Sequence, residues 1–232
     1  MIPILSEDDS LIVCVKPAGL LAEDGDDPSE YLPAALRRQT QTDALFTVHR
    51  LDRVVGGVMV YAKTKSAATA FGRQIQQTDM FKKEYLAVIS GVPAQRSAVW
   101  EDLLFADKRA GKAYVADSMR AGVKQARLSY QVIDSVRTQS GSPLSLVKVN
   151  LYTGRFHQIR VQFASRGFPI AGDGKYGSRC KCPQLALFSA QLSFQHPVEK
   201  KQRTFSALPE QISPWTYFDL SLLNITETKG NG

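Results

Sequence analysis

Residues 46–62 read FTVHRLDRVVGGVMVYA, and this stretch combines a strand with an unusual cluster of charge. The run after the two glycines is apolar and rich in β-branched residues, which is typical of a buried strand. Directly before it, Asp52 stands between Arg50 and Arg53. One interpretation is a surface ion pair at the start of a strand. The other is a catalytic carboxylate in a basic pocket that receives a phosphodiester. These residues alone favour the ion pair, so the decision rests on the remainder of the chain.

The composition is that of a globular protein with a basic excess. The chain has 232 residues, of which 44% are hydrophobic and 22% charged, enough for a sizeable core. Lys and Arg number 29 and Asp and Glu 22, which gives a net charge of +7. A basic protein of this size is typical of a polyanionic partner, nucleic acid first, although solubility alone is an alternative.

Three features bear on compartment and metal content. The sequence contains no apolar run of about 18 residues, so we expect no membrane-spanning helix, and its N-terminus lacks the pattern of a secretory signal. Three cysteines, Cys14, Cys180 and Cys182, provide no paired framework and favour a reducing cytoplasm. Cys180 and Cys182 form a C-x-C pair, which is too little for a zinc site without a second pair. We therefore predict no metal and no cofactor.

Hydrophobic periodicity predicts many strands and few helices. Strands are expected in 10–16, 46–62, 82–91, 126–136, 144–154, 185–194 and 203–210, with shorter ones between 97 and 120. Helices are expected in 27–39, with Pro33 as a possible interruption, in 65–77 and in 154–167. This pattern indicates an α+β fold on a mixed or antiparallel sheet. We expect one domain over 1–225 and a disordered tail at 226–232.

A second charged cluster lies at 153–162, which reads TGRFHQIRVQ. On a helix, His157 and Arg160 would share a face, and a solvated polar face is the ordinary explanation of such a pattern. The Thr-Gly turn before it would present backbone N–H groups that favour anions. The two clusters, HRLDR and TGRFHQIRVQ, together supply four arginines, two histidines and one aspartate. This set suits phosphate contacts around a single acid.

Several segments, in order, resemble the RluA family of pseudouridine synthases. They are EDDSLIVCVKPAGLL at 7–21, HRLDR at 49–53, KKEYLAVISG at 82–91, TGRFHQIRVQ at 153–162, IAGDGKYG at 170–177 and LALFSAQLSFQHP at 185–197. The resemblance implies a single catalytic domain with a mixed, mainly antiparallel β-sheet in two similar halves, flanking helices and a central cleft. It also implies a short form without an N-terminal S4-type RNA-binding domain, since only the first ten residues precede LIVCVKPAG.

The resemblance also implies roles for individual residues. Asp52 is the expected catalytic aspartate, Tyr85 stacks on or near the target base, and Arg160 pairs with Asp52 and keeps it ionised. A flipped pyrimidine, an aromatic platform and a carboxylate with a cationic partner make physical sense for this chemistry. Arg50 helps to displace the target nucleotide from its stack. The further substrate-binding candidates are His49, Arg155 and His157.

The sequence departs from the family pattern at four positions. Val55 and Gly56 stand where the family usually has Thr and Ser, so a hydroxyl is missing beside the catalytic motif. Phe188 stands where a His is common, and Gln162 departs likewise. Asp52, Tyr85 and Arg160 all match, so we expect activity to be retained.

The sequence therefore predicts a monomeric cytoplasmic enzyme that isomerises specific uridines to pseudouridine in ribosomal or transfer RNA, without a cofactor. The alternative is a non-catalytic RNA-binding or assembly protein that keeps the synthase fold. A nucleoside hydrolase is disfavoured because no second carboxylate is singled out. Asp173 is expected to be a turn residue, and Lys16 and Pro17 are expected to fix a turn.

Overall fold

The computed structural model of the protein describes residues 1–25, 27–77, 79–223 and 225–228. These residues form eleven strands and three α-helices. The chain divides into two compact units, the first built from residues 1–83, 188–209 and 224–232 and the second from residues 84–187 and 210–223. Within the described ranges, no helix is both long and apolar enough to cross a membrane.

The first unit contains six strands and two helices. The strands are β1 (Ile4–Glu7), β2 (Leu11–Lys16), β3 (Phe46–Thr47), β4 (Gly56–Ala62), β10 (Leu187–Gln195, from Phe188) and β11 (Gln202–Ser206), and the helices are α1 (Leu32–Thr40) and α2 (Lys65–Ile75). Strands β1, β2 and β4 follow one another as antiparallel neighbours, and β3 also pairs with β4. Strand β10 runs parallel to β4 and antiparallel to β11.

The core of the first unit is aromatic. Helix α2 begins where Thr64 accepts a hydrogen bond from the N–H of Ala67, and it buries Ala67 and Phe71. The Phe71 ring lies 5.1 Å from that of Phe194 and 6.1 Å from that of Phe81, both edge-on, a favourable geometry for aromatic pairs. The apolar β2 and β4 residues complete this core, which fixes the start of β4 and hence the loop that carries Asp52.

Gly57 is required by close packing between β4 and β10. Its φ is +126°, and a Cβ atom there would lie 2.3–2.7 Å from backbone atoms of Ser189. Any side chain would therefore force these two parallel strands apart. The second glycine after HRLDR is thus explained by the fold and not by chemistry.

The second unit contains five antiparallel strands and one helix. The strands are β5 (Phe81–Ser90, from Glu84), β6 (Ser97–Asp107), β7 (Lys112–Ala116), β8 (Val123–Arg137) and β9 (Pro143–Leu151), and the helix is α3 (Gln158–Ala164). Their order across the sheet is β5-β9-β8-β6-β7. The β8–β9 hairpin pairs Leu128 with Leu151 and Arg137 with Pro143, so the two strands expected in 126–136 and 144–154 are neighbours.

Helix α3 packs on one face of this sheet. Val161 contacts the buried cluster of Leu104, Ala113 and Ala126, and the Phe163 ring lies 4.8 Å from that of Trp100. Because every residue from Gln158 to Phe163 is buried, the helix has no solvated face. The polar side chains of α3 must therefore find partners inside the protein.

The fold class is confirmed as α+β with a mixed, mainly antiparallel arrangement of strands. Three local predictions differ from the structure. Pro33 does not interrupt α1, because it occupies the first turn, where a missing N–H leaves no hydrogen bond unmade. Residues 97–120 contain one eleven-residue strand, β6, and one short strand, β7, where only short strands were expected. Helix α3 begins only at Gln158, so His157 and Arg160 do not share a helix face.

The C-terminal segment continues past the last strand, β11. The Oε1 of Glu227 accepts a hydrogen bond from the N–H of Leu208, and Thr228 exchanges two hydrogen bonds with Ser206. The remaining part of the predicted disordered tail, 229–232, lies outside the described residues.

Candidate active site

A buried lysine anchors the loop that carries Asp52. Lys16 has no exposed surface, and its ammonium group donates hydrogen bonds to the carbonyl oxygens of Pro17 (3.0 Å), Leu20 (2.7 Å) and Arg53 (3.1 Å). These bonds join the segment after β2 to the residue that follows Asp52. The ammonium uses its three donors on three converging carbonyls, which is the geometry that a lysine can satisfy.

The charge of Lys16 also affects the electrostatics of this loop. Burial lowers the pKa of Lys16 to about 8, and the negative charge of Asp52 opposes this shift. At neutral pH the group remains mostly protonated, so it places a positive charge in the interior close to a half-buried carboxylate. The predicted turn role of Lys16 is thus realised through its side chain.

The two arginines that flank Asp52 each have an acidic partner. Arg50 binds Glu23 at 3.0 Å, and Arg53 binds Glu30 at 3.0 Å. The Nε of Arg53 also donates to the carbonyl of Gly19 at 2.9 Å. Both ion pairs are exposed, and exposed pairs of this kind contribute only about 0–1 kcal/mol. They can therefore open at little cost when a phosphate competes for the guanidinium.

His49 packs into the interior of the first unit. Its ring meets that of Phe81 edge-on at 5.4 Å, and its Nε2 accepts a hydrogen bond from the N–H of Val60 at 3.2 Å. Burial lowers the pKa of His49 to about 3, with a smaller contribution from the positive charge of Lys83. The histidine is neutral at physiological pH and fastens the loop to β4.

Arg160 is buried in an ion pair with Asp173. Its Nε donates to Oδ2 at 2.7 Å and its Nη2 to Oδ1 at 2.8 Å, and both side chains are less than 7% exposed. This two-pronged geometry is the strong form of an arginine–carboxylate contact. The carbonyl of Asp173 also accepts a hydrogen bond from the N–H of Tyr176, so the residue lies in a turn as predicted. The prediction did not include the ion pair that its side chain forms.

Tyr176 connects Arg160, His157 and the β7 strand. The Arg160 guanidinium lies 5.1 Å from the centre of the Tyr176 ring, a cation–π contact. The Tyr176 hydroxyl accepts a hydrogen bond from the N–H of Ala113 at 2.7 Å and lies 2.9 Å from His157 Nδ1. His157 has a left-handed backbone, with φ of 53°, which explains why α3 cannot begin before Gln158.

A buried glutamine orders the loop that contains Arg155. The Oε1 of Gln158 accepts hydrogen bonds from Thr153 Oγ1 (2.8 Å) and from the N–H of Arg155 (3.0 Å), while its Nε2 donates to the carbonyl of Arg127. The Nε of Arg155 donates to the carbonyl of Gln125 at 2.7 Å. The loop is fixed before any ligand binds.

Tyr85 and three of the four residues that depart from the family pattern, Val55, Gly56 and Gln162, are buried. Tyr85 is 5% exposed and stands opposite Val149 in the β5–β9 ladder. Val55 closes the Asp52 turn through its N–H, which donates to the Asp52 carbonyl at 3.0 Å. The Phe188 ring packs at Gly56, and Gln162 donates to Asp102 at 2.6 Å.

The described parts of the chain contain no group of three or more His, Cys, Asp or Glu side chains that could hold a metal ion. Cys180 Sγ and Cys182 Sγ lie 2.9 Å apart, and burial raises the pKa of Cys182 to about 12.

Sequence comparisons place this geometry in a family. The family model described as RNA pseudouridylate synthase matches residues 10–165. The chain belongs to the RNA pseudouridylate synthase family. The Dual-specificity RNA pseudouridine synthase RluA of Yersinia pestis is 35% identical over 198 residues, with 84% of this chain and 92% of that protein covered. The tRNA pseudouridine synthase C of Haemophilus ducreyi is 33% identical over 226 residues, with 90% and 91% covered. The resemblance to the RluA family is confirmed.

Solved structures agree on the fold. Human RNA Pseudouridylate Synthase Domain Containing 1 has a TM-score of 0.78 at 19% identity, over 98% of this chain and 96% of that one. Human RNA Pseudouridylate Synthase Domain Containing 4 has a TM-score of 0.71 at 24% identity, over 90% and 89%. At these identities the likeness concerns the fold alone.

Sequence reasoning missed the partners of the two buried cations. Lys16 carried a visible signal, since it is a charged residue that closes a wholly apolar strand and is followed by proline. Asp173 and Tyr176 gave no comparable signal, because an acid and an aromatic between glycines are typical of a turn. The assignments of Asp52, Tyr85, Arg160, Arg50, His49, Arg155 and His157 to catalysis and substrate binding stay predictions.

Proposed function

We propose that the protein is an RNA pseudouridine synthase that isomerises uridines in ribosomal or transfer RNA, with Asp52 as its catalytic carboxylate. In this reaction the N1–C1′ bond breaks, the uracil rotates, and a C5–C1′ bond forms while C5 loses its proton and N1 gains one. The reaction is an isomerisation, so we propose that it needs no redox partner, metal or organic cofactor.

The observation that supports this proposal most directly is the anchored Asp52 loop in a chain of this family. A carboxylate can act as nucleophile or base only while ionised, and it must be held in a fixed position. The buried ammonium of Lys16 interacts electrostatically with Asp52 and holds the next carbonyl, that of Arg53. The carboxylate stays half-buried, which leaves it accessible to a flipped-out nucleotide.

The other roles follow the family resemblance. We propose that Tyr85 contacts the target base, that Arg160 supports the ionised Asp52, and that Arg50 assists displacement of the nucleotide. Arg155, His157 and His49 are proposed to shape the substrate-binding loops. The RluA and tRNA pseudouridine synthase C relatives carry names that indicate action on RNA, transfer RNA in the second case, which supports the substrate class. We also propose that the enzyme is monomeric and cytoplasmic.

The test is release of tritium from RNA that carries 5-tritiated uridine. Wild-type protein is expected to release tritium from unmodified ribosomal or transfer RNA transcripts, and Asp52→Asn is expected to lose all measurable release while it keeps the same unfolding transition. Asp24→Asn, which changes an exposed acid of the same unit, serves as the matched control. Release by Asp52→Asn at the wild-type rate would remove Asp52 from the mechanism. RNA binding without any release by wild type would favour the non-catalytic alternative.

A further inference from the structure

The hairpin between β6 and β7 presents two exposed cations on a rigid turn. Asp107 Oδ1 accepts hydrogen bonds from the N–H groups of Arg109 (2.9 Å) and Ala110 (3.0 Å), and Gly111 takes a left-handed conformation that closes the turn. Lys108 and Arg109 are both exposed at its tip. The backbone of this turn is therefore fixed, and its two cationic side chains face solvent.

A second basic segment is fastened to this hairpin. Lys175 Nζ donates a hydrogen bond to the carbonyl of Gly111 at 3.0 Å. Beside it, the Lys112 ammonium lies 5.3 Å from the ring centre of Tyr176 and 5.6 Å from that of Tyr114. Residues more than sixty positions apart in sequence are thus in direct contact within the second unit.

The charge of this surface is concentrated. We define the basic surface as residues 107–112 and 174–182, whose cations are Lys108, Arg109, Lys112, Lys175, Arg179 and Lys181. Asp107 is the one acid in these two ranges, so their net charge is +5, against +7 for the whole chain. Most of the chain's positive excess therefore lies in fifteen residues, and dispersed lysines placed for solubility would not give this distribution.

The neighbouring acid does not neutralise the surface. Asp173, which directly precedes the second segment, is 2% exposed and bound to Arg160 through both carboxylate oxygens. An exposed aromatic lies next to the basic surface, since Tyr114 on β7 is 44% exposed and lies beside Lys112. Cations that follow a backbone together with an aromatic ring that can stack on a base are the pattern of a single-stranded nucleic-acid contact.

We propose that the basic surface docks the sugar–phosphate backbone of the RNA substrate, through side chains that take no part in the reaction itself. This proposal rests on the proposed function and adds to it a defined contact for the RNA. Contacts to phosphates position the nucleic acid and supply affinity without reading sequence. The surface therefore determines how tightly RNA binds, and the choice of uridine belongs to other residues.

The test removes exposed cations without breaking an interaction within the protein. The variant combines Lys108→Ala, Arg109→Ala, Arg179→Ala and Lys181→Ala, and it leaves Lys175 in place because that side chain holds Gly111. The control combines Lys65→Ala and Arg73→Ala, two exposed cations of α2 in the first unit. The probe is an unmodified, fluorescently labelled transfer RNA transcript, with Kd measured by anisotropy at several salt concentrations.

We expect the fourfold variant to bind RNA more weakly and with a weaker dependence on salt. The slope of log K against log salt should decrease by about 0.7–0.9 for each phosphate that the variant no longer neutralises, which is roughly 3 for four phosphates. The slope measured for the control should differ from the wild-type slope by no more than the contribution of about one phosphate. A fourfold variant that matches the control in both Kd and slope would overturn the proposal. Displacement of RNA by polyglutamate of equal charge at equal concentration would also overturn it, in favour of an acidic protein partner.

This outcome is separable from that of the proposed function. Anisotropy reports binding whether or not pseudouridine forms, whereas tritium release reports the reaction. If wild type binds RNA through the basic surface but releases no tritium, the docking surface stands and the enzymatic proposal fails. If tritium release is normal while the fourfold variant binds like the control, the enzymatic proposal stands and the docking surface fails.

Discussion

Lys16, which is bonded to the HRLDR loop, and Arg160, which lies within TGRFHQIRVQ, are both buried cations, yet the protein holds them in opposite ways. Lys16, in the first unit, donates to three neutral carbonyls. Arg160, in the second unit, binds the carboxylate of Asp173 through two nitrogens. The ammonium suits converging carbonyls because its donors point along three directions, whereas the planar guanidinium matches a carboxylate.

The two interactions differ in whether they leave a net positive charge in the interior of the protein. The pair of Arg160 and Asp173 joins opposite charges and carries no net charge. The interaction of Lys16 with its carbonyls keeps a full positive charge, and it lies near Asp52. The first arrangement fixes a position, and the second fixes a position and also places a positive charge near a carboxylate.

The largest effect is expected when the buried ion pair is broken. Asp173→Ala removes the carboxylate from a buried guanidinium and should lower the free energy of unfolding by about 3–5 kcal/mol, as measured by denaturant titration. Glu199→Ala, which breaks an exposed pair with Arg203, is the control and should cost at most about 1 kcal/mol. The double variant Arg160→Met with Asp173→Leu should recover much of the loss. Equal effects of Asp173→Ala and Glu199→Ala would show that burial does not distinguish the two pairs.

A smaller loss is expected at the lysine. Lys16→Met keeps most of the buried stem but leaves the carbonyls of Pro17 and Leu20 without this donor and the carbonyl of Arg53 with only the N–H of Gly19. The free energy of unfolding should therefore fall by about 2–3 kcal/mol. Because the Asp52 loop loses its anchor and its nearby charge, the rate of single-turnover tritium release should fall as well. The rate should fall by more than the decrease in the folded fraction of the variant accounts for. Lys65→Met, on the exposed face of α2, is the matched control. Unchanged tritium release by Lys16→Met would mean that the anchor does not affect Asp52.

The two cations should also differ in their pH dependence. The pKa of Lys16 is lowered to about 8 from an ordinary value of 10.5, so between these values the unfolded chain binds the proton and the folded protein does not. The free energy of unfolding should therefore rise as pH increases from about 8 to 10.5 and be flat below that window. A pKa shift of one unit corresponds to about 1.4 kcal/mol in the free energy of unfolding. Because the three carbonyl hydrogen bonds favour the charged lysine and so oppose part of the shift, we expect the free energy of unfolding to rise by on the order of 1–2 kcal/mol across this window.

The difference between the wild-type and Lys16→Met unfolding curves isolates this contribution. It should change across the window from about pH 8 to 10.5 and nowhere below it. A difference that stays constant throughout that window and below it would show that the ammonium of Lys16 keeps its ordinary affinity for protons when buried.

The smallest effect is expected at Tyr176. Tyr176→Phe keeps the ring over Arg160 but removes the hydroxyl that accepts from the N–H of Ala113 and contacts His157. Loss of that hydrogen bond should lower the free energy of unfolding by about 1 kcal/mol. Tyr114→Phe, at an exposed position on β7, should have no measurable effect. A loss as large as that of Asp173→Ala would mean that the Tyr176 hydroxyl stabilises the fold as much as the buried carboxylate of Asp173 does.

The sequence predicted the strands well because their signal is local. The alternation in 144–151 and the apolar runs of β2, β4 and β5 each indicate a buried strand without reference to the remainder of the chain. The extent of α3 was wrong for a physical reason. Residues 154–157 have a helical pattern, but the left-handed backbone of His157, held by contacts with Tyr176 and Phe156, ends the helix on that side.

By itself, the sequence determined the fold class, the family and the candidate residues, because periodicity and ordered motifs are properties of the chain alone. Only the tertiary structure decided what surrounds those residues. It assigned Asp173 to Arg160 across 13 positions, Lys16 to the carbonyl of Arg53 across 37, and Lys175 to Gly111 across 64. Such interactions follow from how strands and loops pack, and a residue's type does not encode which distant partner will satisfy its charge.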